Sequence, residues 1–189
     1  MIHRIIDLPA QFPVLHEFKS KAKLYTYARE NSVEIRPNQA SPSILIFPGG
    51  GYRFTSDREA EPVALHFLAM GYQTFVLRYT CATAHFPTQL MEAAAAIQFL
   101  RANAAEFFSD IDQIAGIGFS AGAHFSGCLS CMWDNEEVCK ALSVKTPSVL
   151  RPNATCLCYP VITSGKYAQK DSFAGFLGEE KEEKSLRLF

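Results

Sequence analysis

The chain lacks an excess of either charge: 18 basic against 19 acidic residues leave a formal net charge of -1 over 189 positions. Without a basic stripe no field gathers a polyanion, which excludes nucleic acid and anionic membrane surfaces as expected partners. Long hydrophobic runs are missing as well. No stretch reaches the roughly eighteen uncharged apolar residues that a membrane-spanning helix needs. The start MIHRIIDLPAQF has no basic segment followed by a long apolar one, so a soluble, cytoplasmic protein is expected. Cysteine is present, with six residues, but not at zinc-ligand spacing. Cys128 and Cys131 form a CxxC on a predicted helix, and Cys156 and Cys158 are expected on opposite faces of a strand, so buried free thiols and no metal are expected.

What is there is apolar and regularly punctuated. With 48% hydrophobic residues, the chain can bury one substantial core, and a single domain over 1–189 is expected. Short apolar runs alternate with longer helical patterns after residue 40, the rhythm of strand-helix-strand units around a mostly parallel sheet with helices on both faces. Residues 43–47 (SILIF), 73–79 (QTFVLRY), 113–119 (QIAGIGF) and 154–161 (ATCLCYPV) read as strands buried on both faces.

Between the first two of these strands, residues 58–70 read as a helix that Gly71 stops. Ser56 and Glu59 have the spacing of a capping box, but Pro62 would then lie too deep, which moves the expected start to near Glu59. Residues 88–107 form the clearest helix, with Leu90, Ala93, Ala94, Ile97 and Leu100 on one core-facing stripe. In the less regular N-terminal forty residues, 23–27 and 32–35 are expected to pair as antiparallel strands. The tail EEKEEKSLRLF is charged and helix-prone.

Gly118-Phe119-Ser120-Ala121-Gly122 is a GxSxG pentapeptide between an apolar strand and a small-residue, helix-compatible segment, AGAHFSGCLSCMW. That is the strand-turn-helix setting of a nucleophile elbow. A nucleophile on such a turn is pushed out of the sheet, and only small residues two positions to either side let strand and helix approach. The helix that follows places free N–H groups and a positive dipole end where an oxyanion would form. Pro48-Gly49-Gly50-Gly51-Tyr52 follows an earlier strand, and its glycines let backbone N–H groups turn toward a ligand. A dinucleotide fingerprint would need a glycine where Phe54 stands, and a bland tight turn is the other rival reading.

Taken in order, PGGGYRFTSDREAEPVALHFLAMGYQTFVLRY, FPTQLMEAAAAIQFLRANA, IAGIGFSAGAHFSG and CYPVITSG resemble the esterase/lipase group of the α/β-hydrolase fold, over about residues 43–178. That group includes acetyl-esterase-like, acetyl-xylan-esterase-like and feruloyl-esterase-like members. The resemblance implies Ser120 as nucleophile and the N–H groups of Gly50, Gly51 and Ala121 as the oxyanion hole. It implies a small-molecule ester, of a short acyl group such as acetyl, as substrate, and no cofactor. Pro48 stands where related lipases carry the His of HGGG. Tyr52 and His85 are the candidate substrate contacts.

The resemblance also implies what should follow. Its triad runs Ser, then Asp or Glu, then His, on loops after later strands. Here His124 is the sole histidine after Ser120; four residues along the same helix, it is expected to pack near the site rather than act as base. Asp171 is an acid without a histidine to orient. The expectation is therefore an α/β-hydrolase fold lacking its last strands, with an unpaired sheet edge open to self-association. A catalytically inactive remnant and an acyltransferase are the alternative readings.

Overall fold

The computed structural model describes residues 1–35, 37, 39–163 and 165–178; the charged tail lies outside them. Six strands form one sheet: β1 (Ile2–Asp7), β2 (Lys23–Ala28), β3 (Ser41–Phe47), β4 (Gln73–Arg78), β5 (Ser109–Phe119) and β6 (Ala154–Cys158). Their spatial order is β1-β2-β4-β3-β5-β6. The β4, β3, β5 and β6 neighbours run parallel, while β1-β2 and β2-β4 are antiparallel. The helices are α1 (Leu8–Gln11), α2 (Glu61–Ala69), α3 (Thr88–Ala102), α4 (Ala121–Met132), α5 (Glu136–Ala141) and α6 (Lys170–Leu177).

The central strands are apolar at successive positions because both faces are covered. In β3, Leu45 and Phe47 join one core, with Phe75 and Leu77 of β4 and the inner sides of α3 and α4. Ile44 and Ile46 alternate to the other face, where Val76, Ala64 and the α2 side chains Val63 and Phe67 meet them. Each fully buried side chain of this size contributes about 2 kcal/mol. Helix α2 begins at Glu61 with Pro62 in its first turn, where a missing N–H costs nothing. Ser56 makes no capping bond with its side chain, so the capping box does not form. Gly71, at φ +106, follows the helix end.

Several expectations are corrected. The cysteines are not all buried: Cys139 is, whereas Cys131 and Cys156 are exposed, because they lie on the outer side of α4 and on the sheet edge. The helix expected over 88–107 ends at Ala102. Residues 23–27 do form a strand, but β2 pairs with β1 and β4, while residues 33–35 form a turn with Val33 90% exposed. Helix α3 is buried nearly all round rather than along one stripe, because α1, α4, α5 and residues 13–16 and 147–150 pack around it. Its Glu92, fully buried, accepts hydrogen bonds from the Ser20 hydroxyl (2.6 Å), the Thr80 N–H (2.8 Å) and the Thr80 hydroxyl (2.5 Å). Burial pushes its carboxyl up to about 7. Strand β6 is an outermost strand of the sheet among the described residues, as β1 is on the other side, and is half-exposed, not buried on both faces. Cys156 and Cys158 share one face, as residues two apart on a strand must, with Sγ atoms 4.0 Å apart.

Candidate active site

Parallel strands β3, β4, β5 and β6 deliver their carboxyl ends to one side of the sheet, where α/β folds place ligands. Ser120 follows the last residue of β5 and precedes the first of α4, with φ 52 and ψ -117. This conformation lies outside the regions an L-residue favours and costs about 1–3 kcal/mol. Surrounding bonds hold it. The Ser120 N–H donates to the Cys158 carbonyl at 3.0 Å, and the Ser120 carbonyl accepts from the N–H groups of Ala123 and His124, both at 3.1 Å.

The pentapeptide glycines are required by close approach. A β-carbon on Gly118 would overlap the Gly122 carbonyl and lie 2.5 Å from the Ala123 α-carbon. One on Gly122 would overlap the Phe47 carbonyl and lie 2.5 Å from that of Pro48. Strand β5, helix α4 and the end of β3 thus meet backbone to backbone beneath a half-exposed Ser120. Ala121 opens α4, whose first N–H groups have no acceptor within the helix.

The glycine loop after β3 lies against this elbow. A β-carbon on Gly49 would sit 3.1 Å from Ser120 Cβ and 2.8 Å from Glu59 Oε2. Gly50 and Gly51 have φ +131 and +63. Among the described residues their N–H groups donate to no acceptor. The carbonyls point elsewhere: that of Pro48 accepts from the Tyr79 hydroxyl (2.7 Å), that of Gly49 from the Ser56 N–H (2.9 Å) and that of Gly50 from the Arg53 N–H (3.1 Å).

The predicted substrate contacts fare differently. Tyr52 is 1% exposed, and its hydroxyl is hydrogen-bonded to His124 Nδ1 at 2.6 Å. Its ring packs on Phe176 of α6, so it belongs to the core and not to an open surface. His85 is exposed on the loop after β4; its Nδ1 bonds the Gly175 carbonyl at 2.9 Å, and its ring lies against Gly178. His124 packs in the interior as expected, with Nε2 3.6 Å from Cys128 Sγ, and burial lowers its pKa to about 4. Asp171 lies in the exposed first turn of α6.

Glu59 was visible in the sequence only as half of a capping box. Its carboxylate instead accepts from the Gly49 N–H at 2.8 Å and from the Tyr159 hydroxyl at 2.7 Å. No local pattern marks such a role, because its partners are 10 and 100 residues away. Beyond the elbow, a cleft of about 200 Å³ runs between α4 and β6, lined by Gly127, Cys128, Cys131, Met132, Leu157 and Ile162 among others. Among the described residues no cluster of three or more His, Cys, Asp or Glu side chains could hold a metal ion, and no helix is long and apolar enough to cross a membrane.

Residues 33–180 match the family described as BD-FAE. The chain is 33% identical over 154 residues to endo-1,4-beta-xylanase B of Butyrivibrio fibrisolvens, a match covering 77% of this chain and 23% of that protein. It is 28% identical over 145 residues to the acetylxylan esterase of Xylanibacter ruminicola, covering 76% and 28%. The chain therefore spans about a quarter of the length of these curated relatives. Among solved structures, the acetyl ester-xyloside bifunctional hydrolase of Caldicellulosiruptor lactoaceticus superposes with TM-score 0.73 at 30% identity, over 87% of this chain and 58% of that one. MGS-M1, an α/β-hydrolase enzyme from a Medee basin deep-sea metagenome library, gives 0.64 at 43% identity, over 78% and 55%. With most of its length matched and the strand order and elbow in place, the chain belongs to the BD-FAE family and has the α/β-hydrolase fold.

Proposed function

We propose that the protein is a carboxylic-ester hydrolase working through an acyl-enzyme on Ser120. The observation that carries this reading is the strained backbone of Ser120 at the β5-α4 junction, with the glycine loop packed on it. Strain of this kind persists only where the surroundings over-determine it, and it gathers at functional sites. Ser120 Oγ attacks the acyl carbon, the carbonyl oxygen takes the negative charge, and the alcohol leaves with a proton; water then releases the acid and restores the serine. The N–H groups of Gly50, Gly51 and Ala121 are the donors to that oxygen. Relatives named for acetylxylan and acetyl ester-xyloside hydrolysis support a short acyl group, acetyl, on a carbohydrate alcohol.

One observation favours a second reading for these 189 residues alone. His124 is the sole histidine after Ser120, and it is buried, hydrogen-bonded to Tyr52 and neutral above a pKa of about 4. A base on a separate loop is what a triad requires. On this reading the chain carries a nucleophile and its donors but turns over slowly.

Labelling with a fluorophosphonate probe separates the two. The first reading expects the wild-type chain to label and Ser120→Ala to stay dark. If neither protein labels, the 189 residues act as a nucleophile-bearing unit without an activating base.

A further inference from the structure

We propose that Glu59 is the positioning residue of the glycine loop, fixing the peptides that turn the Gly50 and Gly51 N–H groups free. The inference rests on the reading of those groups as oxyanion donors. Its physical basis is peptide planarity: the carbonyl and the N–H of one trans peptide point in opposite directions. The Pro48–Gly49 peptide is held at both ends, its carbonyl by the Tyr79 hydroxyl and its N–H by Glu59 Oε2 at 2.8 Å. The Gly49 and Gly50 carbonyls, turned to Ser56 and Arg53, direct the N–H groups of Gly50 and Gly51 the other way. Glu59 therefore anchors the first peptide of a run in which each orientation constrains the next.

Three glycines in succession make such an anchor necessary. Glycine loses more conformational freedom on ordering than any other residue, and a flipped peptide is sterically cheap there. A carboxylate is a stronger acceptor for a backbone N–H than a neutral oxygen, by roughly a factor of two. Its second oxygen binds the Tyr159 hydroxyl at 2.7 Å, on the segment that follows β6. Tyr159 is itself held at φ +40, and its ring packs on Phe119, next to the elbow. One side chain thus ties the ends of β3 and β6 around Ser120. A role in starting α2 does not account for this: the N-cap position is Ala60, without a side-chain capping bond, and the Glu59 carboxylate points to the loop.

The test uses the full chain, labelled with ¹⁵N, as wild type, Glu59→Gln and Glu59→Ala. Amide hydrogen exchange is read at Gly49 and, as internal standards, at Leu45 and Ile46 in β3. Glu59→Ala is expected to speed exchange at Gly49 by tenfold to a hundredfold, an order-of-magnitude figure for losing a charged acceptor, with Leu45 and Ile46 unchanged. Glu59→Gln keeps an oxygen acceptor and should stay within about fivefold of wild type. Unchanged exchange at Gly49 in Glu59→Ala overturns the proposal. So does equal acceleration at all three amides, which would mean general destabilisation. Fluorophosphonate labelling of the same three proteins is followed in parallel. If wild type labels, Glu59→Ala should label about tenfold more slowly and Glu59→Gln should recover most of the rate; equal rates in all three count against positioning. If wild type does not label, the hydrolase reading fails for this chain, and the exchange pattern still decides the role of Glu59.

Discussion

The elbow, at the start of α4, and the β6 edge, along its flank, are built on opposite principles. At the elbow, backbone meets backbone: a β-carbon at 118 or 122 would overlap a backbone carbonyl, and Ser120 is strained. At the edge, side chains stand apart around a cleft, with Leu157 39% and Ile162 62% exposed. The first region resists any added atom, whereas the second has room for many. The contrast teaches that close packing here is concentrated where geometry must be held to fractions of an ångström.

The largest expected effect comes from breaking the tight side. Gly122→Ala places a methyl group onto the carbonyl of Phe47, the last residue of the central strand, and that of Pro48, the first of the loop after it, and neither can yield cheaply. A loss of about 4 kcal/mol is expected in urea unfolding, at the high end for a single substitution. A loss under 1 kcal/mol would show that the junction relaxes, and the contrast between the two regions would disappear.

His124 joins the regions, since it faces Tyr52 in the core and also lines the cleft. Burial lowers its pKa to about 4 in the folded chain, against 6.5 in the unfolded one. As pH falls below 6.5 the unfolded state takes up a proton that the folded state refuses, so stability is lost from 6.5 down to about 4. The shift corresponds to about 3 kcal/mol once both pKa values are passed. The histidine contribution is read as the difference between wild type and His124→Gln in chemical unfolding at pH 7 and at pH 4. A gap that does not change with pH would mean that water from the cleft solvates the imidazole.

These two predictions concern residues of unequal legibility. The elbow could be read from five consecutive residues, because the steric demand of a strand-to-helix turn falls on immediate neighbours. The apolar strands 43–47 and 73–79 were equally plain, since double-sided burial leaves continuous hydrophobic runs. Strand β1 was hidden: IHRIID carries its polar residues outward, and its pairing partner lies some twenty residues on. The half-exposed state of β6 could not be read from ATCLCYPV, because burial depends on which neighbours are present and not on composition. Glu59 showed the opposite problem, a local pattern that suggested a cap while the carboxylate served distant partners.

Ser120→Gly sharpens the contrast from the other direction. A φ of 52 with ψ -117 is strained for serine and accessible to glycine, so the substitution relieves strain and is opposed by glycine's greater freedom in the unfolded chain. A net gain of about 1 kcal/mol in thermal or urea unfolding is expected. A loss would mean that the serine side chain stabilises the turn by more than its backbone costs.

Leu157→Lys tests the loose side, and the smallest change is expected there. Leu157 faces α4, where a β-carbon on Gly127 would lie 3.7 Å from its Cδ1, yet it remains 39% exposed. A lysine can lay its methylene stem along the same helix and keep its ammonium in water, so destabilisation should stay under about 1 kcal/mol. A charge on an outermost strand also discourages pairing with a second copy. If copies of the wild-type chain pair through this edge, sedimentation velocity shows less association for the variant at equal concentration. If the lysine instead costs as much as Gly122→Ala, the cleft is a packed core and the two regions obey the same rule. If stability holds and association is unchanged, the β6 edge is not where copies meet.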